Sequence, residues 1–234
     1  MSSADSLGHS TSKTDIILVI DLDETLLSIN SFPIFAKYFL LGKFDNLNFP
    51  QRNLLRLKAA KIFAERKVLG RSHAQTKADL HRLWLQTSGI NALENIIAKL
   101  EQKIRPNMRA VLELIAQGKI DAILATAATA LYDEPFAKRA GFTHVLSTNL
   151  NGSENRSEEK SRRTQEFLTK QNWVNRKKIF FTDHLEDMPF MQSSDKLMWF
   201  GKPEEVQVIK NSTPDLEIII CKNLTAEEVL KDIY

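Results

Sequence analysis

Residues 15–30 read DIILVIDLDETLLSIN, a run of five apolar residues from Ile16 to Ile20 that ends on two aspartates separated by one leucine. An uninterrupted apolar run between polar residues marks a strand buried on both faces, as in a parallel sheet. Asp21 and Asp23 are then an electrostatic liability at its carboxyl end, because like charges this close repel and resist desolvation. The pair implies a positive partner. In open α/β sheets ligands bind beyond the carboxyl ends of the strands, so position and charge mark the same place.

Five further runs have the same character: DAILAT (Asp121 to Thr126), HVLST (His144 to Thr148), KIFFT (Lys178 to Thr182), LMWF (Leu197 to Phe200) and EIII (Glu217 to Ile220). Between them lie helical patterns, MRAVLELIAQG ending at Gly118, LYDEPFAKRAG ending at Gly141, and SRRTQEFLTKQ, with glycine where helices commonly stop. Strand alternating with helix predicts an α/β fold with a doubly wound, Rossmann-like parallel sheet. The interval 31–100 breaks the rhythm. It contains no strand pattern, and its apolar residues recur at three- and four-residue spacing, which predicts an inserted all-helical subdomain. The expected organisation is therefore a disordered, Ser-rich tail at 1–14, a core of 15–30 and 101–234, and the helical insertion between.

The bulk numbers suit this plan. The chain has 234 residues, 43% hydrophobic and 26% charged, ordinary for a globular domain carrying an insertion. No apolar run approaches transmembrane length, and the polar start of the sequence reads as a tail rather than a secretory signal. One cysteine, Cys221, excludes an internal disulfide framework and a Cys-based zinc site. A cytoplasmic, intracellular protein is the expectation. The net charge of +3 hides an asymmetry: between Arg52 and Arg82 nine Lys and Arg face only Glu65 and Asp79. That segment reads either as a solvated helix surface or as a basic face that attracts anionic substrates or partners. Its aromatic residue Phe63, and Trp84 just after it, occupy apolar helical positions rather than a nucleic-acid pattern, so no nucleic acid is expected.

Other strand ends repeat the polar habit of the first. The second strand finishes at Thr126, and the fourth runs into TDHLEDMPF with Asp183 and Asp187. Each residue alone has a structural explanation: a threonine bonded to backbone, or aspartates as helix N-caps. Their convergence on one sheet edge favours a shared site.

These residues carry a resemblance. DLDET (Asp21 to Thr25), ILAT (Ile123 to Thr126) and TDHLED (Thr182 to Asp187) are similar, in order, to the first, second and fourth motifs of the haloacid dehalogenase superfamily phosphatases. The third motif is a lysine on a helix upstream of the fourth. Lys160 in NRSEEKSRRTQEFL is the best candidate, with Arg162 and Arg163 nearby as a competing solvated cluster. The helical interval occupies the type I cap position, and GFTHVLSTNL and MPF resemble the phosphoserine-phosphatase-like branch.

The resemblance implies a Mg²⁺-dependent phosphomonoesterase working through an aspartyl-phosphate. In it Asp21 is the nucleophile, Asp23 the acid and base, Thr126 a donor to the phosphoryl group, and Lys160 a neutralising charge. Asp21, Asp183 and the Asp23 backbone carbonyl would hold the metal, with Asp187 supporting it. Two departures stand out. Thr182 replaces the usual glycine before Asp183, and Thr126-Ala127-Ala128-Thr129 replaces the Ser-Gly-Gly of phosphoserine phosphatases, which argues against phosphoserine as substrate.

Other readings remain open. DLDETLL and the run from Lys103 to Tyr132 are also similar to carboxy-terminal-domain phosphatases, so the substrate is either a phosphorylated small molecule or a phosphoprotein, the latter through a Tyr or Ser/Thr phosphatase activity. A phosphomutase would use the same carboxylates. A non-catalytic module binding anions through its basic helices would need neither Asp21 nor Asp23. His73, His81 and Trp84 read as structural or surface residues of the insertion, with the alternative that either histidine reaches a substrate from it. The end NLTAEEVLKDIY starts like a helix at Thr225, which fits either a short closing helix or a domain excised from a longer protein. Oligomeric state is not legible.

Overall fold

The computed structural model describes residues 15–41, 44, 47–87, 90–149 and 154–234; the expected tail at 1–14 lies outside them. IILVI forms strand β1 (Ile16–Ile20) at the centre of a six-stranded, all-parallel sheet. The others are β2 (Asp121–Thr129), β3 (His144–Thr148), β4 (Lys177–Thr182), β5 (Lys196–Trp199) and β6 (Glu217–Ile220). The spatial order is β3-β2-β1-β4-β5-β6. Strands β2 and β3 therefore extend the sheet on one side of β1, and β4 to β6 on the other. The order reverses between β1 and β4, and the crevice at such a reversal is where a doubly wound sheet binds ligands.

Alternation along β1 explains its unbroken hydrophobicity. Leu18 and Ile20 face one layer, with Met108, Val111, Tyr132, Val229 and Ile233; Ile17 and Val19 face the other, with Leu168, Phe190, Met191 and Trp199. Both faces are covered, so no position on the strand tolerates a polar residue until Asp21. Helices fill the layers: α5 (Arg109–Ala116), α6 (Ala130–Arg139), α7 (Ser157–Lys170) and α10 (Ala226–Ile233) where the sequence implies them, with the single turn α8 (Met188–Met191) and α9 (Val206–Ser212) in addition, the first four numbers being taken by the insertion. Gly118 closes α5 at φ +66°, a conformation that side chains rarely adopt. Thr225 opens α10 with the reciprocal Thr225–Glu228 capping pair that its sequence implies.

Four helices lie between β1 and β2, where the sequence shows no strand pattern: α1 (Phe32–Leu41), α2 (Phe49–Leu69), α3 (His73–Leu85) and α4 (Ile90–Glu101). Asn48–Gln51 and Ser72–Gln75 capping boxes start α2 and α3. The interior of the insertion is aromatic. Trp84 meets Phe35 and Phe39 at 5.5 Å and Phe44 at 5.7 Å between ring centroids, so its assignment to the insertion's core holds. Phe35 in turn meets Tyr132 of α6 at 5.3 Å, and the aromatic cluster is continuous with the Leu18 and Ile20 side of the sheet.

The chain leaves and re-enters the core through a narrow neck. Ser28 N–H donates to Lys103 O at 2.8 Å and Arg105 N–H to Leu26 O at 3.0 Å, around an antiparallel bridge between Leu27 and Ile104. Truncating Trp84 to alanine opens a cavity in the insertion's only described aromatic cluster of this size. It should cost about 3–5 kcal/mol of stability, read from the urea midpoint of the variant against wild type.

Candidate active site

Asp21 is the first residue past β1, and its N–H still donates to Phe181 O at 2.9 Å. The ladder therefore fixes its carboxylate beyond the sheet, 7% exposed. The chain then winds through a wide turn over Leu22–Leu26 that buries Leu22, Thr25 and Leu26. Within it Asp23 is extended and Glu24 sits at φ 55°, an arrangement that a non-glycine residue holds only when its surroundings impose it. Arg105, at the end of the neck, supplies part of that constraint by donating to Glu24 O at 2.7 Å.

Strand β4 ends beside β1 and contributes the opposing carboxylates. Thr25 Oγ1 donates to Asp183 Oδ1 at 3.1 Å, so the threonine of DLDET positions an aspartate 158 residues away. Gly201 lies close behind: an added Cβ would stand 2.4 Å from Asp183 O. Asp187 follows on the turn after β4, and Thr182 Oγ1 donates to its Oδ2 at 2.6 Å. The threonine that departs from the family's usual glycine thus has a local task.

Helix α7 delivers Lys160, which is 3% exposed. Its Nζ donates to Asp21 Oδ1 at 2.9 Å and to Asp187 Oδ2 at 2.8 Å. The neighbouring cations go elsewhere. Arg162 faces solvent with Glu159 and Glu166, and Arg163 donates to Ser147 O at 2.7 Å. Thr126 lies where β2 loses register with β3 between Ala125 and Thr129. Its Oγ1 accepts from Ala128 N–H at 3.0 Å, which leaves the hydroxyl proton available to the cleft. Asp23 Oδ1 accepts from Ser31 N–H at 2.7 Å.

A cleft of about 450 Å³ joins these groups, lined by Asp21, Asp23, Thr126, Lys160, Asp183 and Asp187. Phe32, Pro33, His73 and Lys77 line it from the insertion. Sequence reasoning did not single out Lys77. It is one cation in a basic run, yet it donates to Ala127 O at 2.7 Å, an oxygen that Thr148 Oγ1 also reaches, while pairing with Glu154. Arg156 pairs with Glu186 on the same rim. His81 instead meets Thr129 Oγ1 at 3.2 Å, away from this lining.

The electrostatics are unbalanced. Burial pushes Asp21 up to about 8, against the pull of Lys160 and with the help of Asp187 and Asp183. Burial also raises Asp183 to about 6 and lifts Asp23. Burial alone would lower Lys160, but the charges of Asp187 and Asp21 raise it instead, so it stays an ammonium. Four aspartates from two strand ends thus share the cleft, and Lys160 is bonded to two of them, Asp21 and Asp187. Among the described residues no three His, Cys, Asp or Glu side chains form a ready metal cage, and Asp187 is engaged with Lys160 and Thr182. Asp21, which meets Lys160 through Oδ1 alone, Asp183 and the Asp23 carbonyl offer hard oxygens, the donor chemistry that fits Mg²⁺.

Two expectations follow from this balance. Lys160→Met leaves two carboxylates buried without their counter-charge and should cost about 3–5 kcal/mol, measurable by urea unfolding. In EDTA, the raised carboxylates make the folded chain hold more protons than the unfolded chain between about pH 4 and pH 8. Stability should therefore fall as pH rises through that window, and Asp21→Asn should flatten the fall in urea midpoints measured at pH 5 and pH 8.

A family model described as haloacid dehalogenase-like hydrolase matches residues 18–192. No curated protein matches significantly. Among solved structures, the chain is similar to a protein of unknown function from Bordetella pertussis Tohama I, with a TM-score of 0.67 at 15% identity over 88% of this chain and 99% of that one. It is similar to a probable phosphoserine phosphatase from Vibrio cholerae (TM-score 0.61, 9% identity, 92% of this chain and 62% of that one). A substrate-bound phosphoserine phosphatase gives 0.55 at 11% identity, over 95% and 99%. Likeness at these identities concerns the fold.

Proposed function

The chain belongs to the haloacid dehalogenase-like hydrolase family, and on that premise we propose that it is a Mg²⁺-dependent phosphomonoesterase acting through an aspartyl-phosphate. The observation that carries this reading is the meeting of Asp21, Asp187 and Lys160 within 2.9 Å beside Asp183 and Thr126, at the sheet's reversal point. Hydrolysis through an aspartyl-phosphate needs a carboxylate nucleophile, an acid next to it and concentrated positive charge, and this edge offers the first two and the scaffold for the third.

Asp21 would attack phosphorus in line with the ester oxygen, forming its C–O–P bond as the P–O bond to the leaving group breaks. Asp23 would hand its proton to the departing oxygen, then take one from the water that attacks the aspartyl-phosphate, so that inorganic phosphate leaves and Asp21 is restored. The Thr126 hydroxyl would donate to a phosphoryl oxygen, and Lys160 would hold nucleophile and phosphoryl group together against their repulsion. Mg²⁺, held by Asp21, Asp183 and the Asp23 carbonyl with Asp187 in support, would supply the positive charge that makes Asp21 a carboxylate and offsets the phosphate.

The insertion favours a small substrate over a phosphoprotein. Phe32, Pro33, His73 and Lys77 cover the cleft from above, and its volume of about 450 Å³ lies in the range of small-molecule sites. Phosphoserine is disfavoured, because Ala127 and Ala128 line the cleft where its own phosphatases carry glycine.

Asp21→Asn should lower hydrolysis of an aryl phosphate at least 10³-fold, and EDTA should abolish it, with Mg²⁺ restoring it. A panel of phosphometabolites set against phosphotyrosyl and phosphoseryl peptides reads the substrate class, with the highest kcat/KM expected among the former. A wild type with Mg²⁺ that hydrolyses nothing on the panel would sink the enzyme reading in favour of anion binding.

A further inference from the structure

Asp23 is held from one side by contacts that the reaction above does not explain. Its Oδ1 accepts the Ser31 amide at 2.7 Å. An amide can only donate, and the carbonyl oxygen of a carboxylic acid accepts better than its hydroxyl oxygen, so this bond favours the acid's proton on Oδ2. Ser31 is itself fully buried, and its hydroxyl lies 2.8 Å from the hydroxyl of Tyr132, 101 residues away on α6. Its carbonyl accepts from Phe35 N–H at 3.1 Å, in the first turn of α1. Tyr132 touches both ends of that turn, because its ring also meets Phe35 at 5.3 Å. A core helix thereby fixes the depth and rotation of the first turn of the insertion, and with it the amide that aims Asp23.

We infer that Ser31 and Tyr132 are positioning residues for Asp23, pinning its Oδ1 so that Oδ2 is the oxygen that gives and takes the proton. The Tyr132 hydroxyl is the part that matters, since the ring alone would keep the aromatic contact. A buried hydroxyl that loses its partner seeks another, and Ser31 then draws its amide away from the carboxylate. Asp23 becomes a mobile acid, correctly placed for only part of the time.

This rests on the phosphomonoesterase reading, and the test separates the two. A departing oxygen of low basicity hardly needs a proton, whereas a basic one depends on the acid. The full chain with Mg²⁺ is assayed for kcat/KM, which covers the steps up to the aspartyl-phosphate, on aryl phosphates from 2,4-dinitrophenyl to phenyl. For Tyr132→Phe and Ser31→Ala the loss should grow along the series, about tenfold larger at the phenyl end. In an Asp23→Asn background, Tyr132→Phe should then add less than about twofold, because neighbours acting through one group are not additive. A loss uniform along the series, or fully additive with Asp23→Asn, overturns the inference and leaves the residues structural. Should Tyr132→Phe fail to fold, Ser31→Ala decides by the same slope. A wild type inactive on the whole series overturns the phosphatase reading and this one with it, whereas an active wild type with flat variant profiles overturns this one alone.

Discussion

Lys160 Nζ bridges Asp21 and Asp187 at 2.9 and 2.8 Å, in a pocket where neither carboxylate would be tolerated without it. The three groups arrive on α7, β1 and the turn after β4, so one ammonium ties both halves of the sheet and a covering helix at the crevice. A buried charge cluster of this kind is a poor way to gain stability, since desolvation roughly cancels attraction. Its persistence is better explained by a second cation's worth of work, with Asp21 and Asp183 still pushed upward by burial after Lys160 has done its part. The site is an incomplete charge balance, and the proposed chemistry consists of completing it.

The residues around the cluster divide into those that react and those that hold. Thr25 and Thr182 each spend a hydroxyl on an aspartate, Arg105 grips the backbone of the turn, and Ser31 bears on Asp23. Two of these four come from the segments where the insertion joins the core. Orientation of the acid is therefore not a property of the β1 turn alone, and it depends on how the helices above are seated.

Strand positions were legible because burial on both faces leaves a plain mark, an apolar run with abrupt polar ends. β1, β3 and β6 begin and end as their runs do, while β2 continues to Thr129 because Ala127 and Ala128 are small enough to extend through an irregular stretch that the apolar pattern does not mark. The aspartates were legible as charges placed where burial should forbid them. Lys160 is named over its neighbours Arg162 and Arg163 through the resemblance alone, because the residues by themselves do not say which side of α7 packs inward. Thr25 is marked only as the last residue of DLDET, and Ser31, Lys77 and Tyr132 carry no local signal: the partners of these four lie 158, 101, 50 and 101 residues away, and ordinary helix and turn positions account for the last three in one dimension.

The neck formed by Leu26–Ser28 and Lys103–Arg105 has an evolutionary corollary. Both crossings of the chain lie side by side and hydrogen-bond to each other, so a shorter or wholly different segment grafted between Ser28 and Lys103 would meet the same two anchor points. The sheet would not need to change its register to accept it. Chemistry and selectivity can then diversify on separate stretches of one gene, with the aspartates kept in place while the roof over them is exchanged. The cost of such an exchange falls on Ser31, Phe35 and Tyr132, whose contacts across the boundary, the bond to Asp23 included, any replacement would have to rebuild.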